Sequence, residues 1–273
     1  MVKKLLLLLL IAGTLWSDDQ LNDKIKSLVG DAAFAKNRSF IEIIFNPTEY
    51  YYYNGHIDVV KVVETLEENG LLNLFYKKPQ SLELTFSTNG PPLFFVKLMG
   101  ETLRSMGYYR YITKASKLDS ATFYWKVQLT TEYATNPTIL SKELHKRGCS
   151  IIDITKEHMQ SWVYDIDMTH AHLNLQEIQE GQQIVFNRSL YAHWLDVSKV
   201  KKLRVTSNKG NYWFPYIAYY DNAMRLLKVY KRDKKSWQLK LTLPRDTAYI
   251  KLADLYTLKN IKSGLQIEGI GQK

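Results

Sequence analysis

The chain has 273 residues, 45% hydrophobic and 23% charged, a balance that sets aside a disordered or fibrous protein and fits one large or two ordinary domains. Its one cysteine, Cys149, rules out an internal disulfide framework and any multi-cysteine metal site built by this chain alone. Lysines and arginines outnumber aspartates and glutamates by 37 to 27, a net charge of +10, which favours anionic partners.

Lys3 and Lys4 precede an unbroken apolar run from Leu5 to Ala12, then Gly13 to Ser17 and the acidic pair Asp18 and Asp19. Basic, apolar, small, polar is the order of a secretory signal peptide, and the run falls short of the roughly 20 helical residues needed to cross a bilayer. The expectation is a signal peptide over residues 1–17 and, after its removal, a chain that does not span the membrane. Export with a single unpaired cysteine points to the bacterial periplasm.

Leu21, Ile25, Leu28 and Val29 repeat at helical spacing, so residues 18–39 read as an N-terminal helical segment. Three copies of one pattern follow over 40–159. Helix endings at Glu64–Gly70, Glu101–Gly107 and Lys142–Gly148 are each followed at once by a strand-like stretch, the glycines 37 and 41 residues apart. Glycine at that position takes the left-handed conformation that closes a helix. A strand candidate also precedes each helix: Phe40 to Phe45, then Leu82, Leu84 and Phe86, then Phe123, Trp125, Val127 and Leu129 in alternation. Pro91-Pro92 and Asn136-Pro137 mark helix starts.

Three tandem βαβ units of this kind combine as split βαβ, ferredoxin-like sheets. In element order alone, residues 40–156 resemble the small modules that envelope proteins use in tandem, including peptidoglycan-binding SPOR domains and the ring-building modules of secretion systems. That resemblance implies protein assembly and transfers no functional residue.

From Ser161 the pattern changes to short strands separated by turn residues: 162–168, 182–187, 203–207, 212–220, 226–231, 237–243, 248–252 and 265–267. Eight strands at this spacing predict an antiparallel β-sandwich, jelly-roll-like, over residues 160–273. The fold class expected is therefore α+β. In the clearest strand, Trp237, Leu239, Leu241 and Leu243 are expected to face inward.

Charge divides along the same boundary. Residues 18–159 hold 17 bases and 17 acids, whereas 160–273 hold 18 bases and 10 acids. Lys199, Lys201, Lys202 and Arg204 form one basic group, and Lys228, Lys231, Arg232, Lys234 and Lys235 another. Rings lie close by in sequence. Flat rings stack on sugar faces while lysine and arginine hold carboxylates, so the candidate ligand-binding residues are Tyr191, Trp194, Lys201, Lys202, Arg204, Trp213, Tyr216, Lys231 and Arg232. After export the fitting anions are a glycan such as peptidoglycan or an acidic protein surface, not nucleic acid.

His170 and His172 form the one His-x-His pair, behind Asp165 and Asp167. On a strand the imidazoles share one face and the carboxylates the other, so a metal site there needs a bulge. Cys149 reads as a small buried hydrophobe. G-x-S-x-G, Walker and dinucleotide signatures are missing, so no catalytic residue and no cofactor is expected. The leading expectation is an exported, non-catalytic envelope binding and scaffold protein. The alternatives are an envelope hydrolase or metal enzyme centred on the sandwich, and a structural subunit of a secretion or motility machine.

Overall fold

The structure, a computed structural model, describes residues 19–271, so the expected signal peptide lies outside the described residues. The fold is α+β and divides into two compact units, one ending at His172 and the other starting at Leu173.

The first unit opens with helices α1 (19–29), α2 (Asp31–Lys36), α3 (Arg38–Ile44) and α4 (Val59–Glu68). In α1 the apolar stripe is buried through Leu21, Ile25 and Leu28, and Lys24 pairs with Asp153 at 2.6 Å. Phe40 to Ile44 is helical rather than a strand, with Phe45 capping the helix. Ile41 and Phe45, four apart, turn inward while Phe40 and Ile43 stay exposed, the helical periodicity that a short apolar run conceals. Asp58 caps α4, its carboxylate accepting from the Lys61 N–H at 3.0 Å.

Five strands make one sheet: β1 (Phe75–Thr88), β2 (Ile112–Asp119), β3 (Thr122–Tyr133), β4 (Ser150–His158) and β5 (Ser161–Asp167), in the order β2-β3-β1-β5-β4. Helix α5 (Pro92–Ser105) joins β1 to β2 and α6 (Pro137–His145) joins β3 to β4. Two expected strands fuse into the single long β1. Its register with β3 slips between Phe75 and Gln80, where Pro79 has no N–H to give the ladder. The three expected units thus become two βαβ connections within one sheet.

Leu82, Leu84 and Phe86 of β1 and Trp125 and Val127 of β3 are buried on the side where Phe95 of α5 meets Phe123 edge-on, ring centroids 6.2 Å apart. Glu83 and Lys126 pair on the other side at 3.6 Å. Gly70, Gly107 and Gly148 have φ of 69°, 92° and 68°, the left-handed caps the repeat implies. Gly148 is doubly constrained, because a Cβ there would lie 2.0 Å from the His170 carbonyl oxygen.

The boundary lies further along the chain than the sequence suggests. β5, expected to begin the second domain, pairs parallel with β1 and antiparallel with β4, because Trp162, Tyr164 and Ile166 fill the same core. Moving Asp165 and Asp167 into the first unit balances residues 1–172 at 19 bases and 19 acids. Residues 173–273 then carry 18 bases against 8 acids, the whole net +10.

The second unit consists of β6 (Gln183–Phe186), β7 (His193–Asp196), β8 (Lys202–Ser207), β9 (Pro215–Tyr220), β10 (Leu226–Lys231), β11 (Gln238–Thr242), β12 (Tyr249–Asp254) and β13 (Leu265–Ile270). They form two four-stranded antiparallel sheets, β10-β9-β12-β7 and β11-β8-β13-β6. One core is shared between them, built from Leu195, Leu203, Val205, Trp213, Ile217, Ile250, Leu252, Leu265 and Ile267 among others. β7 was not legible as a strand: four residues give alternation only two turns of the pattern to show itself. No helix of the described residues is long and apolar enough to cross a membrane.

Candidate functional site

Three loops gather at one end of the two-sheet unit: 208–214 between β8 and β9, 232–237 between β10 and β11, and 255–264 between β12 and β13. Hydrogen bonds fasten them together. The Tyr212 N–H donates to the Asn260 carbonyl at 2.8 Å, Ser236 N–H to Trp213 at 2.9 Å and Leu255 N–H to Phe214 at 2.8 Å. Two buried polar side chains act as hubs. Asn211 donates to the Gly264 carbonyl at 2.7 Å and accepts from the Ser263 N–H at 2.8 Å. Asp254 accepts from the Phe214 N–H at 2.7 Å and, through its other oxygen, from the N–H groups of Tyr256 and Thr257 and from the Asn260 amide. Every one of these bonds crosses between segments or closes a turn, so the loops hold one shape.

On that platform stand Lys209, Arg232, Lys234, Lys235, Lys259 and Lys262, with Asp233 the one acid in the three loops. Among the described residues no carboxylate pairs with any of the six. Asp233 instead accepts from the Tyr256 hydroxyl at 2.5 Å, a bond that raises the Tyr256 pKa. Lys235 lies over two rings, its Nζ 3.8 Å from the Tyr212 centroid and 4.3 Å from that of Trp237, within cation–π range. Tyr212 is 61% exposed and Trp237 53%, so both rings also face water. Trp237 therefore does not continue the inward row of Leu239 and Leu241; it precedes β11 and turns out over Lys235.

The opposite end is quieter, with acids set among its bases, although among the described residues Lys199, Lys201 and Lys202 have no carboxylate partner there. There Arg225 pairs with Asp221 at 2.6 Å and Arg245 with Asp246 at 3.9 Å. Burial pushes the Asp221 carboxyl up, but bonds from the Arg225 and Ala223 N–H groups and the Arg225 guanidinium bring it below the usual carboxylate range.

The nine expected ligand-binding residues do not converge. Trp213 is completely buried, its indole N–H donating to the Ala253 carbonyl at 2.9 Å. Lys201 lies in the 197–201 loop at the quiet end, and Lys202 opens β8 there. Arg204 lies on the outer face of the same strand, paired with Glu268 at 2.6 Å. Tyr216 and Lys231 oppose each other on β9 and β10, the ammonium 5.5 Å from the ring centroid. Trp194 of β7 packs its ring 5.1 Å from Tyr220, and Tyr191 is exposed in the 187–192 loop. Arg232 and the buried Trp213 fall within the three gathered loops, and the 187–192 loop that carries Tyr191 leaves from the same end, where Phe186 pairs with Leu265. Tyr212, Lys235 and Trp237 are not among the nine: sequence puts Lys235 in a basic group and Trp237 in the inward row of a strand, although Lys235 and Trp237, two apart, fall on one side of an extended stretch.

The metal candidate does not assemble. His170 and His172 occupy the turn after β5, the His172 Nδ1 3.3 Å from the His170 carbonyl oxygen. Among the described residues no three His, Cys, Asp or Glu side chains surround a common point. Cys149 is buried and its thiol is pushed up to about 11, by burial first and Asp167 second.

The first unit also holds a cleft of about 370 Å³ at the carboxyl ends of the parallel strands β1 and β5, lined by Ser87, Thr88, Asn89, Asp165, Asp167 and Thr169 among others. Its polar groups are engaged with one another: Ser87 donates to Asp165 at 3.0 Å, Thr122 to Asn89 at 2.9 Å and Thr169 to Asp167 at 2.6 Å. The Thr169 hydroxyl bond holds Asp167 below the usual carboxylate range.

The chain matches no protein-family model and no curated protein sequence.

Proposed function

We propose that this is an exported, non-catalytic binding protein of the cell envelope, periplasmic, whose second unit holds an anionic glycan such as peptidoglycan at its basic loop end. The observation that carries the reading is the segregation of charge: six unpaired bases on one rigid loop platform, in the unit that contributes the entire net charge. Unpaired bases concentrated on one surface focus field lines and draw in polyanions. Residues 3–17 support export. The two-sheet unit reads as a jelly-roll β-sandwich, since its strands taken in order one to eight lie as 1-8-3-6 and 2-7-4-5, the pattern of two intertwined Greek keys. The first unit reads as a ferredoxin-like βαββαβ sheet, with β5 inserted between β1 and β4, serving assembly with envelope proteins.

The test passes the full chain over immobilised acidic and neutral polysaccharides at rising salt. Retention on the acidic matrix alone, lost as the Debye length shrinks to a few ångströms near 1 M salt, is expected. Equal retention on both matrices, or none on either, overturns the reading.

A further inference from the structure

The chemistry of the ligand at this end can be read more closely, on the assumption that the basic loop end is the binding surface. A site for a bare polyanion needs positive charge and nothing else. This one sets two large exposed rings against Lys235, each on a backbone tied by a hydrogen bond. Tyr212 sits between the buried Asn211 and Trp213, with its own N–H tied to Asn260. Trp237 follows the buried Ser236, and its carbonyl accepts from the Ser207 N–H at 2.8 Å. Lys235, half-buried, is held against both rings, so its ammonium is aimed before any ligand arrives and less side-chain entropy is lost on binding. Among the described residues no acid pairs with it, and its three N–H donors suit a carboxylate.

We infer that Tyr212, Lys235 and Trp237 form one subsite for a carboxylated sugar. A ring face turned away from Lys235 stacks on the apolar C–H face of a pyranose, and Lys235, whose ammonium covers the other face of each ring, takes a carboxylate of the same chain. The preferred ligand is then a polysaccharide of uronic-acid type, with Arg232, Lys234, Lys209, Lys259 and Lys262 receiving charges further along the chain. Neutral glycans lack the carboxylate, and polyphosphate lacks the stacking face.

Calorimetric titration of the full chain with three probes tests this: oligogalacturonate, a neutral oligogalactoside of equal length, and inorganic polyphosphate of equal charge. Oligogalacturonate is expected to bind tightest. Trp237→Ala and Tyr212→Ala should each weaken it by about 3- to 10-fold, the worth of one aromatic contact, and leave polyphosphate within about two-fold. Trp237→Phe, which keeps a stacking face, should recover most of the loss. Lys235→Gln should weaken both charged probes. If polyphosphate binds as tightly as oligogalacturonate and the ring variants change neither, the subsite is overturned while the basic end stands. If neither charged probe binds, the basic-end reading falls with it.

Discussion

The two ends of the second unit are closed by loops off the same eight strands, yet they treat charge in opposite ways. At one end Arg225 and Arg245 are answered by Asp221 and Asp246. At the other, among the described residues, the six bases of the three loops stand without a carboxylate partner, and the one acid in those loops is held by a tyrosine hydroxyl. Keeping like charges together costs stability, and the larger excess of unanswered bases is why the proposed binding surface is put at that end.

The largest effect should separate core from surface. Trp213→Ala removes a fully buried ring and its bond to Ala253 and should cost about 3–5 kcal/mol in urea unfolding. Trp237→Ala, whose ring faces water, should cost no more than about 0.5 kcal/mol. Comparable losses would mean that the two rings share one role.

Next comes the hub. Asp254→Ala strands the N–H groups of Phe214, Tyr256 and Thr257 and the Asn260 amide, and should cost about 1–3 kcal/mol while abolishing retention on acidic polysaccharide. Asp221→Ala, the corresponding hub of the quiet end, should also destabilise the fold but leave retention intact. Retention lost equally in both would deny the ends their difference.

The exposed charges should act on binding alone. Replacing Lys209, Lys234 and Lys235 together by glutamine is expected to lower affinity for acidic polysaccharide and flatten its salt dependence. The same change at Lys199, Lys201 and Lys202 should leave affinity within about two-fold. Both variants should unfold within about 0.5 kcal/mol per site of the parent.

How much of this was legible follows from the range of each signal. Helix caps at Gly70, Gly107 and Gly148 and the N-cap at Asn136 are local, and sequence displays them directly. The identity of Phe40–Phe45 was not local: only packing decides whether Ile41 and Phe45, or alternate residues, turn inward. β5 looked like the first strand of the next domain because its partner β1 lies more than 70 residues earlier. The site was harder still. Lys201 and Lys231 look like neighbouring basic groups along the chain, but β8 carries the first to one end and β10 the second toward the other, which no spacing rule records. Trp213 and Trp237 are indistinguishable as letters; one closes the core and the other faces water.

The smallest effect concerns His193, the one histidine of residues 173–273. Its ring is buried at the start of β7 and stacked on Phe186, centroids 4.6 Å apart with a 10° tilt, and burial holds its pKa below the usual histidine value. The folded chain thus keeps this imidazole neutral at a pH where the unfolded chain, near its ordinary pKa of about 6.5, takes up a proton. The resulting stability is fully present above about pH 6.5 and is lost progressively as pH falls below it toward the folded value. Urea midpoints of the second unit, followed by the fluorescence of Trp213 and its neighbours, should therefore decline from about pH 7.5 to 5, and His193→Gln should flatten the decline. No charged partner for His193 enters this expectation, so added salt should leave the slope unchanged; at the basic end, salt should decide everything. A midpoint that rises on acidification, or a slope that salt erases, would place a charge against His193 and make it electrostatic in the same sense as the loop end.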